Sequence, residues 1–362
     1  MQEVSRLYNE IYESQNYYVE TSLIAGDKGV LITEDAERIL FGGTAIIVGS
    51  SHPDSGYGET IINSIRTTRR VFSNSKPEVG CCPSGEIYVE MHRPRGNIER
   101  MGTLIPYIRL VSNEDGRYTE WLRKGVYFID TRDNTHNDDD LDIISIHGYD
   151  AMMKSEVPYG SFYTEIDFTL TNTSETPDTV LGDWTKSNGV YSATFRDNRI
   201  QNNKTISIVY SDDDSKVFGQ TVSSTQLAGG VRFESRTMPP ENFFGKVVLH
   251  EANTISFPAR DIDVVRDIAS KMQVHLDMRS DETHKSVVEY INKGYIIQYP
   301  AEYTMRETLS FIAAMYAGNW IINDAGDLQF IGIYDLPEET NLLTNELGRR
   351  ITFGNEKTRI LV

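Results

Sequence analysis

The sequence predicts a mainly β fold with a smaller α+β part, and three observations carry that prediction. Apolar and polar residues alternate over short runs through residues 17–150 and again through 163–253. Gly, Asn, Asp and Pro punctuate the runs, where turns need their backbone preferences. Only after about residue 256 do apolar residues recur at helical spacing.

The chain has 362 residues, enough for several domains with ordinary cores. Its 39% hydrophobic and 24% charged content is that of a globular protein. No apolar run approaches the roughly 18 residues of a membrane span. The start, "MQEVSRLYNEIYESQNYY", has no basic region leading into an apolar one, so no secretory signal is expected and assembly in a cytoplasm is. Lys plus Arg is 35 against 53 for Asp plus Glu, a net charge of -18 that argues against nucleic acid as a partner. Cys81 and Cys82 are adjacent. Neighbouring residues rarely meet disulfide geometry, and two thiols cannot make a four-thiolate zinc site. They are expected as strand-entry residues before Pro83.

Residues 1–160 are expected to form a small barrel. Its strands are "YYVETSLIAG", "DKGVLITEDAERILFGG", "GEIYVEMHRP", "LIPYIRLVS", "GVYFIDTR" and "DIISIHGYD". In "IYVEM", Ile87, Val89 and Met91 alternate with Tyr88 and Glu90, the period of a half-buried strand. Between the last two runs lies "RDNTHNDDDLD", residues 132–142. A calcium loop of the EF-hand kind needs oxygen ligands at its first, third and fifth positions, then Gly, then a Glu at the twelfth. Starting at Asp138 puts Ile143 where Gly belongs and Tyr149 where Glu belongs; starting at Asn134 puts Asp139 at the Gly position. No register fits, so the stretch is expected to be a solvated hairpin loop.

Residues 163–253 are rich in Thr, Ser, Asn and Asp, and read as a second all-β unit of sandwich size, with Pro239 and Pro240 marking the connection into its last strand. Trp184, Tyr191 and Tyr210 are its aromatic candidates for stacking on sugar rings. The competing expectation places Trp184 and Tyr191 in the core.

Residues 256–335 read as α/β. In "ARDIDVVRDIASKM", Ile262, Val265, Ile268, Ala269 and Met272 share a helical face. A second helix starts at Thr304, where "TMRE" is a capping box, and Gly318 is placed as its stop. "NWIIND" and "LQFIGIY" then form a hairpin, and segment 280–293 fits either a short helix or a strand lead-in. Residues 336–362 open a further strand pattern, read as an incomplete barrel: truncation is the favoured expectation, and a second barrel that is absent or on another chain is the alternative.

Searches for catalytic patterns give no G-x-S-x-G elbow, P-loop or G-x-G-x-x-G. "HEANT" begins with His250 and Glu251, but Thr254 sits where a metalloprotease needs its second histidine. His147 and Asp150 fall on opposite faces of a strand. No catalytic, metal or cofactor residues are assigned, and a non-enzymatic role is expected.

The order of segments resembles a known family. "GCCPSGEIYVEMHRPRGNIERMGTLIPYIRLVSNEDGRYTEWLRKGVYFIDTR" and "LDIISIHGYDAMMKSE" are similar to the first barrel of tail hub proteins from phages and prophages of Gram-positive bacteria. "DIDVVRDIASKM", "GYIIQYP" and "YTMRETLSFIAAMYAGNWIINDAGDLQF" are similar to that family's following α/β domain. Together they cover more than half of the chain in the family's order. The resemblance implies a structural protein at the tail tip or baseplate, contacting the tube or distal tail protein and a central spike or fibre. It also implies location in the virion tail and a homotrimeric ring of barrels in the assembled tail, with this truncated-looking chain expected to be monomeric on its own. The β-sandwich departs from the family's pattern and is expected as an insertion; it supports the alternative of a tail-borne glycan-binding protein.

Overall fold

The computed structural model describes residues 4–26, 40–41, 44–45, 53–73, 77–92, 102–137, 140–173, 182–202, 204–210, 227–251, 254–279 and 287–332. The architecture is mainly β, with antiparallel sheets and a few helices.

The first element was not anticipated. Ser5 Oγ accepts the Tyr8 N–H at 3.1 Å and opens helix α1 (Arg6–Ser14), which ends at Gln15 in the left-handed region. Then come β1 (Tyr17–Gly26), β2 (Leu40–Phe41), β3 (Thr44–Ala45), β4 (Ile62–Thr68), β5 (Glu86–His92), β6 (Thr103–Ser112), β7 (Leu122–Arg123), β8 (Tyr127–Asn137) and β9 (Asp140–Asp150). The main sheet runs β1-β6-β8-β9-β5-β4, with β7 on β6. Its core draws on every strand of that path: Leu23, Leu104, Tyr127, Ile129, Ile144, Ile146, Ile87, Val89, Met91 and Ile62. Leu23 of β1 makes one isolated bridge with Tyr57, in the segment that leads into β4: Leu23 N–H donates to Tyr57 O at 2.9 Å and Tyr57 N–H returns to Leu23 O at 2.8 Å. Among the described residues the expected barrel is therefore a curled sheet tied by a bridge, rather than a ring of continuous ladders.

Two details differ from expectation. Strand β4 was missed because its buried residues do not alternate, and its register shifts between Ile62 and Ser64. The acidic stretch 132–142 is mostly ladder rather than loop, since β8 and β9 pair as far as Asn137 and Asp140. Antiparallel pairing uses backbone groups, so polar side chains do not end it. Asp138 and Asp139 lie outside the described residues.

After two short 3₁₀ turns the sandwich forms as expected. Its strands are β10 (Thr164–Thr171), β11 (Thr185–Ser187), β12 (Val190–Arg196), β13 (Thr205–Tyr210), β14 (Gly230–Ser235) and β15 (Asn242–His250). They make two three-stranded sheets, β10-β15-β13 and β11-β12-β14. Alternate residues of both enter one core, including Ile166, Phe168, Phe233, Phe243 and Val247.

The remaining elements are β16 (Ala259–Arg260), α2 (Asp261–Met272), α3 (Val287–Tyr290), β17 (Ile296–Ile297), α4 (Met305–Met315), β18 (Gly318–Ile322) and β19 (Leu328–Gly332). In α2, Val265, Ile268, Ala269 and Met272 are fully buried as expected, whereas Val264 rather than Ile262 completes the stripe. The capping box forms: Glu307 N–H donates to Thr304 Oγ1 at 3.1 Å, and Thr304 N–H donates to Glu307 Oε2 at 2.8 Å. The stop is displaced by one residue. Ala317, at φ 50°, takes the left-handed conformation, and Gly318 already belongs to β18. A Cβ on Gly318 would lie 2.2 Å from the Phe330 ring and 2.6 Å from Ile331 O, so packing rather than helix termination requires glycine there. The expected incomplete barrel at 336–362 lies outside the described residues.

The chain divides into two compact units. One comprises 1–154, 272–292 and 309–362; the other comprises 155–271 and 293–308. The segment 256–335, expected as a single domain, thus contributes to both. Within the first unit the β18–β19 hairpin is fastened to the N-terminal part of the chain. Arg69 Nη1 meets Asp324 Oδ1 at 2.7 Å, and Arg123 Nε donates to Asp324 O at 3.0 Å. Among the described residues no helix is long and apolar enough to cross a membrane.

Candidate functional site

The second unit carries an open cleft of about 470 Å³, lined by Pro158, Gly160, Tyr163, Glu165, Lys246, Ala301 and Glu302. Strand alternation sets its floor. Phe168, Phe243 and Val247 turn into the sandwich core, so Glu165 and Asp167 on β10 and Phe244 and Lys246 on β15 share the opposite face of that sheet. The walls are zipped by backbone bonds: Tyr159 N–H to Tyr303 O at 2.8 Å, and Gly160 N–H to Ala301 O at 3.0 Å. Any Cβ on Gly160 would lie 2.3 Å from Ala301 O, so this approach needs glycine.

Glu165 is the best-held group in the cleft. Its Oε1 accepts the Tyr299 hydroxyl at 2.6 Å and its Oε2 meets Lys246 Nζ at 3.1 Å. Nearby, Asp267 accepts from both the Tyr159 hydroxyl and Lys271 Nζ. Lys271 Nζ lies 5.3 to 5.7 Å from the ring centroids of Phe162, Tyr159 and Tyr163. Burial lifts the Tyr159, Tyr163 and Tyr299 phenols above their ordinary range, with carboxylates Asp267 and Glu165 adding to the effect. These phenols are neutral donors rather than bases. Burial lowers Lys271, against the opposing pull of Asp267.

A serine–histidine pair lies on the same sheet. Ser207 Oγ is 2.8 Å from His250 Nε2, and His250 Nδ1 is 2.7 Å from Ile255 O. Such spacing suits a nucleophile and its base. Both residues are buried, at 4% and 5% exposure, and the Ser207 hydroxyl also bonds Phe257 O. The contacts tie His250 and Ser207 to the 255–257 turn. Burial pushes the His250 imidazole below its usual range, while its bond to Ile255 O pulls the other way. Sequence reasoning had no means to join them: Ser207 pairs with Val248 and His250 with Thr205, so they are diagonal neighbours only in the observed register.

The aromatic residues proposed from sequence are not at this site. Trp184 and Tyr191 are 2% and 5% exposed and pack in the sandwich core, Trp184 edge-on to Phe243 at 6.4 Å. Of the two expectations for them, core placement holds for both and sugar stacking does not. The reason is plain: an aromatic ring gains more from filling the inter-sheet space than from water contact. Tyr210 pairs with Gly245 at the end of β13, and its side chain lies outside the described residues. Among the described residues, no group of three or more His, Cys, Asp or Glu is arranged to hold a metal ion. Neither a scan of protein-family models nor a search of curated proteins returned a match for this chain.

Proposed function

We propose that this chain is a structural component of a phage or prophage tail tip or baseplate hub, joining the tail tube to a central spike or fibre. The observation that carries the reading is connectivity. A hairpin at 318–332 is fastened to the N-terminal curled sheet by Arg69, Arg123 and Asn319, although the whole sandwich intervenes in sequence. That connectivity supports reading the sandwich as a module inserted between a sheet and its companion hairpin, and the order of sheet before hairpin agrees with the tail-hub resemblance. Partners are then other tail proteins and further copies of this chain about a threefold axis. The acidic net charge of -18 fits contacts with protein better than with nucleic acid.

Immunogold labelling of tail particles from the organism carrying the gene tests the location. Label confined to the distal tip is the expected result; label along the tube, or none on any particle, contradicts the proposal.

A further inference from the structure

Strand β1 leaves part of the main sheet's edge open. Leu23 gives its N–H and C=O to Tyr57, so both groups point away from β6. Backbone direction alternates along a strand, so Tyr17, Val19 and Thr21 turn theirs the same way, while Tyr18, Glu20 and Ser22 face β6 opposite Val111, Arg109 and Tyr107. The chain's own covering segment reaches only Leu23. Just after Tyr57 it turns at Gly58, whose C=O accepts the Ile61 and Ile62 N–H groups at 3.0 Å. Among the described residues nothing bonds the outward groups of Tyr17, Val19 and Thr21. Side chains are open here too, Tyr18 at 48% exposure and Val19 at 43%. The one charge on the strand, Glu20, is held by Arg109 Nε at 2.6 Å. The edge thus lacks the lysines, prolines and bulges that ordinarily block strand addition.

We propose that the edge at residues 17–21 takes up an extended, basic segment of another protein as an added strand. Backbone chemistry sets the conformation: three residues offer donors and acceptors at strand spacing, which an extended chain matches and a helix does not. The flanking side chains set the pattern. Tyr18 lies in a row with Val111 and Tyr118 on one face, where the Arg109 guanidinium sits 4.4 Å from the Tyr118 ring centroid and 4.3 Å from that of Trp121. On the other face are Val19 and Tyr17, the latter ring 6.0 Å from that of Tyr12. Alternate apolar side chains of the incoming segment therefore find a partner on each face. Charge sets the class. Helix α1, strands β1 and β6 and the 113–121 turn hold six acidic residues against three basic ones, Arg6, Arg109 and Arg117. Each of those three is already paired, with Glu10, Glu20 and Asp115 respectively. The surplus is negative, which favours lysine or arginine on the segment and disfavours a second copy of this same edge. The proposal does not depend on the tail-tip reading.

The test is fluorescence anisotropy of the full chain with three labelled peptides. The first alternates valine and threonine between two terminal lysines, the second carries glutamates in place of the lysines, and the third has the lysines around a glycine–serine centre. The expected result is saturable binding of the first with a Kd below about 1 mM, the second weaker by about ten-fold, and the third not binding. Val19→Pro removes only the outward N–H and leaves the ladder to β6 intact, so it should abolish binding, while Val19→Thr retains it. In the parent chain, amide exchange at Val19 and Thr21, followed by NMR, should slow when the first peptide binds, whereas Glu20, already in the ladder, stays unchanged. Any of four outcomes would overturn the proposal. These are no saturation by the valine–threonine peptides, equal binding of the glycine–serine peptide, unslowed exchange at Val19 and Thr21 in the complex, or binding indifferent to Val19→Pro in a variant with unchanged thermal unfolding. A dimer in light scattering that Val19→Pro dissolves would assign the edge to a second copy instead and overturn it as well.

Discussion

Asn319 Oδ1 accepts the backbone N–H of Cys81 at 2.7 Å, joining residues 238 positions apart. The same side chain donates from Nδ2 to Val71 O at 3.1 Å and Glu78 O at 2.9 Å, and it has no exposed surface. One buried amide therefore satisfies three backbone groups of a segment that is also bonded to β18 through Gly80 N–H to Gly318 O and Trp320 N–H to Cys81 O, both at 2.9 Å. Asn319→Ala would leave these groups unpaired without water, a loss of about 3 kcal/mol. Urea unfolding should show the midpoint falling with little change in slope. A midpoint equal to that of the parent protein would mean that the Asn319 amide is not what holds the segment.

Residues 317 and 318 form a second test because they invert the usual placement of glycine. Gly318→Ala forces a methyl group into the Phe330 ring and should cost about 2–3 kcal/mol. Ala317→Gly relieves a left-handed alanine and should stabilise by about 0.5–1 kcal/mol. Thermal unfolding of the pair reads both signs at once, and equal shifts in the same direction would contradict the assignment of the helix stop to Ala317.

The capping box at the start of α4 provides a smaller effect. Thr304→Ala removes the acceptor for Glu307 N–H and should cost about 1 kcal/mol in a denaturant titration. Thr304→Ser keeps the hydroxyl and should behave nearly as the parent. Identical losses in both variants would show that the Thr304 methyl group, not its oxygen, matters.

Much of this architecture was legible before any coordinates. Ile87, Val89 and Met91 announce β5 because one face of the strand is buried and the other is wet. The "TMRE" box is legible because its reciprocal bonds are local. Strand β4 was not, since Ile62, Asn63 and Ser64 straddle a register shift. Which aromatic rings reach the surface was not legible either. Whether an aromatic residue faces core or solvent depends on strand phase, and Phe244 and Phe243 are adjacent residues with opposite fates. Trp184 and Tyr191 drew attention by residue type, although both pack in the sandwich core.

His250 gives the protein a pH response of definite sign. Its folded-state value is depressed from the ordinary 6.5, so the unfolded chain binds the proton more readily. The stabilising contribution is complete above about pH 6.5 and is lost as the pH falls toward the depressed folded value. Unfolding free energies measured between pH 7.5 and 5 should decline on acidification, and His250→Asn, which keeps an amide N–H for Ile255 O, should flatten that decline. Parallel profiles for the two proteins would remove His250 as the cause.

The central claim is that this chain is a tail-tip component, and its copy number in purified particles tests it most directly. Quantitative mass spectrometry against isotope-labelled peptides should find three copies, or a small multiple of three, per particle, far fewer than the tube subunit. Absence of the chain from particles, or abundance equal to that of the tube subunit, would contradict the account.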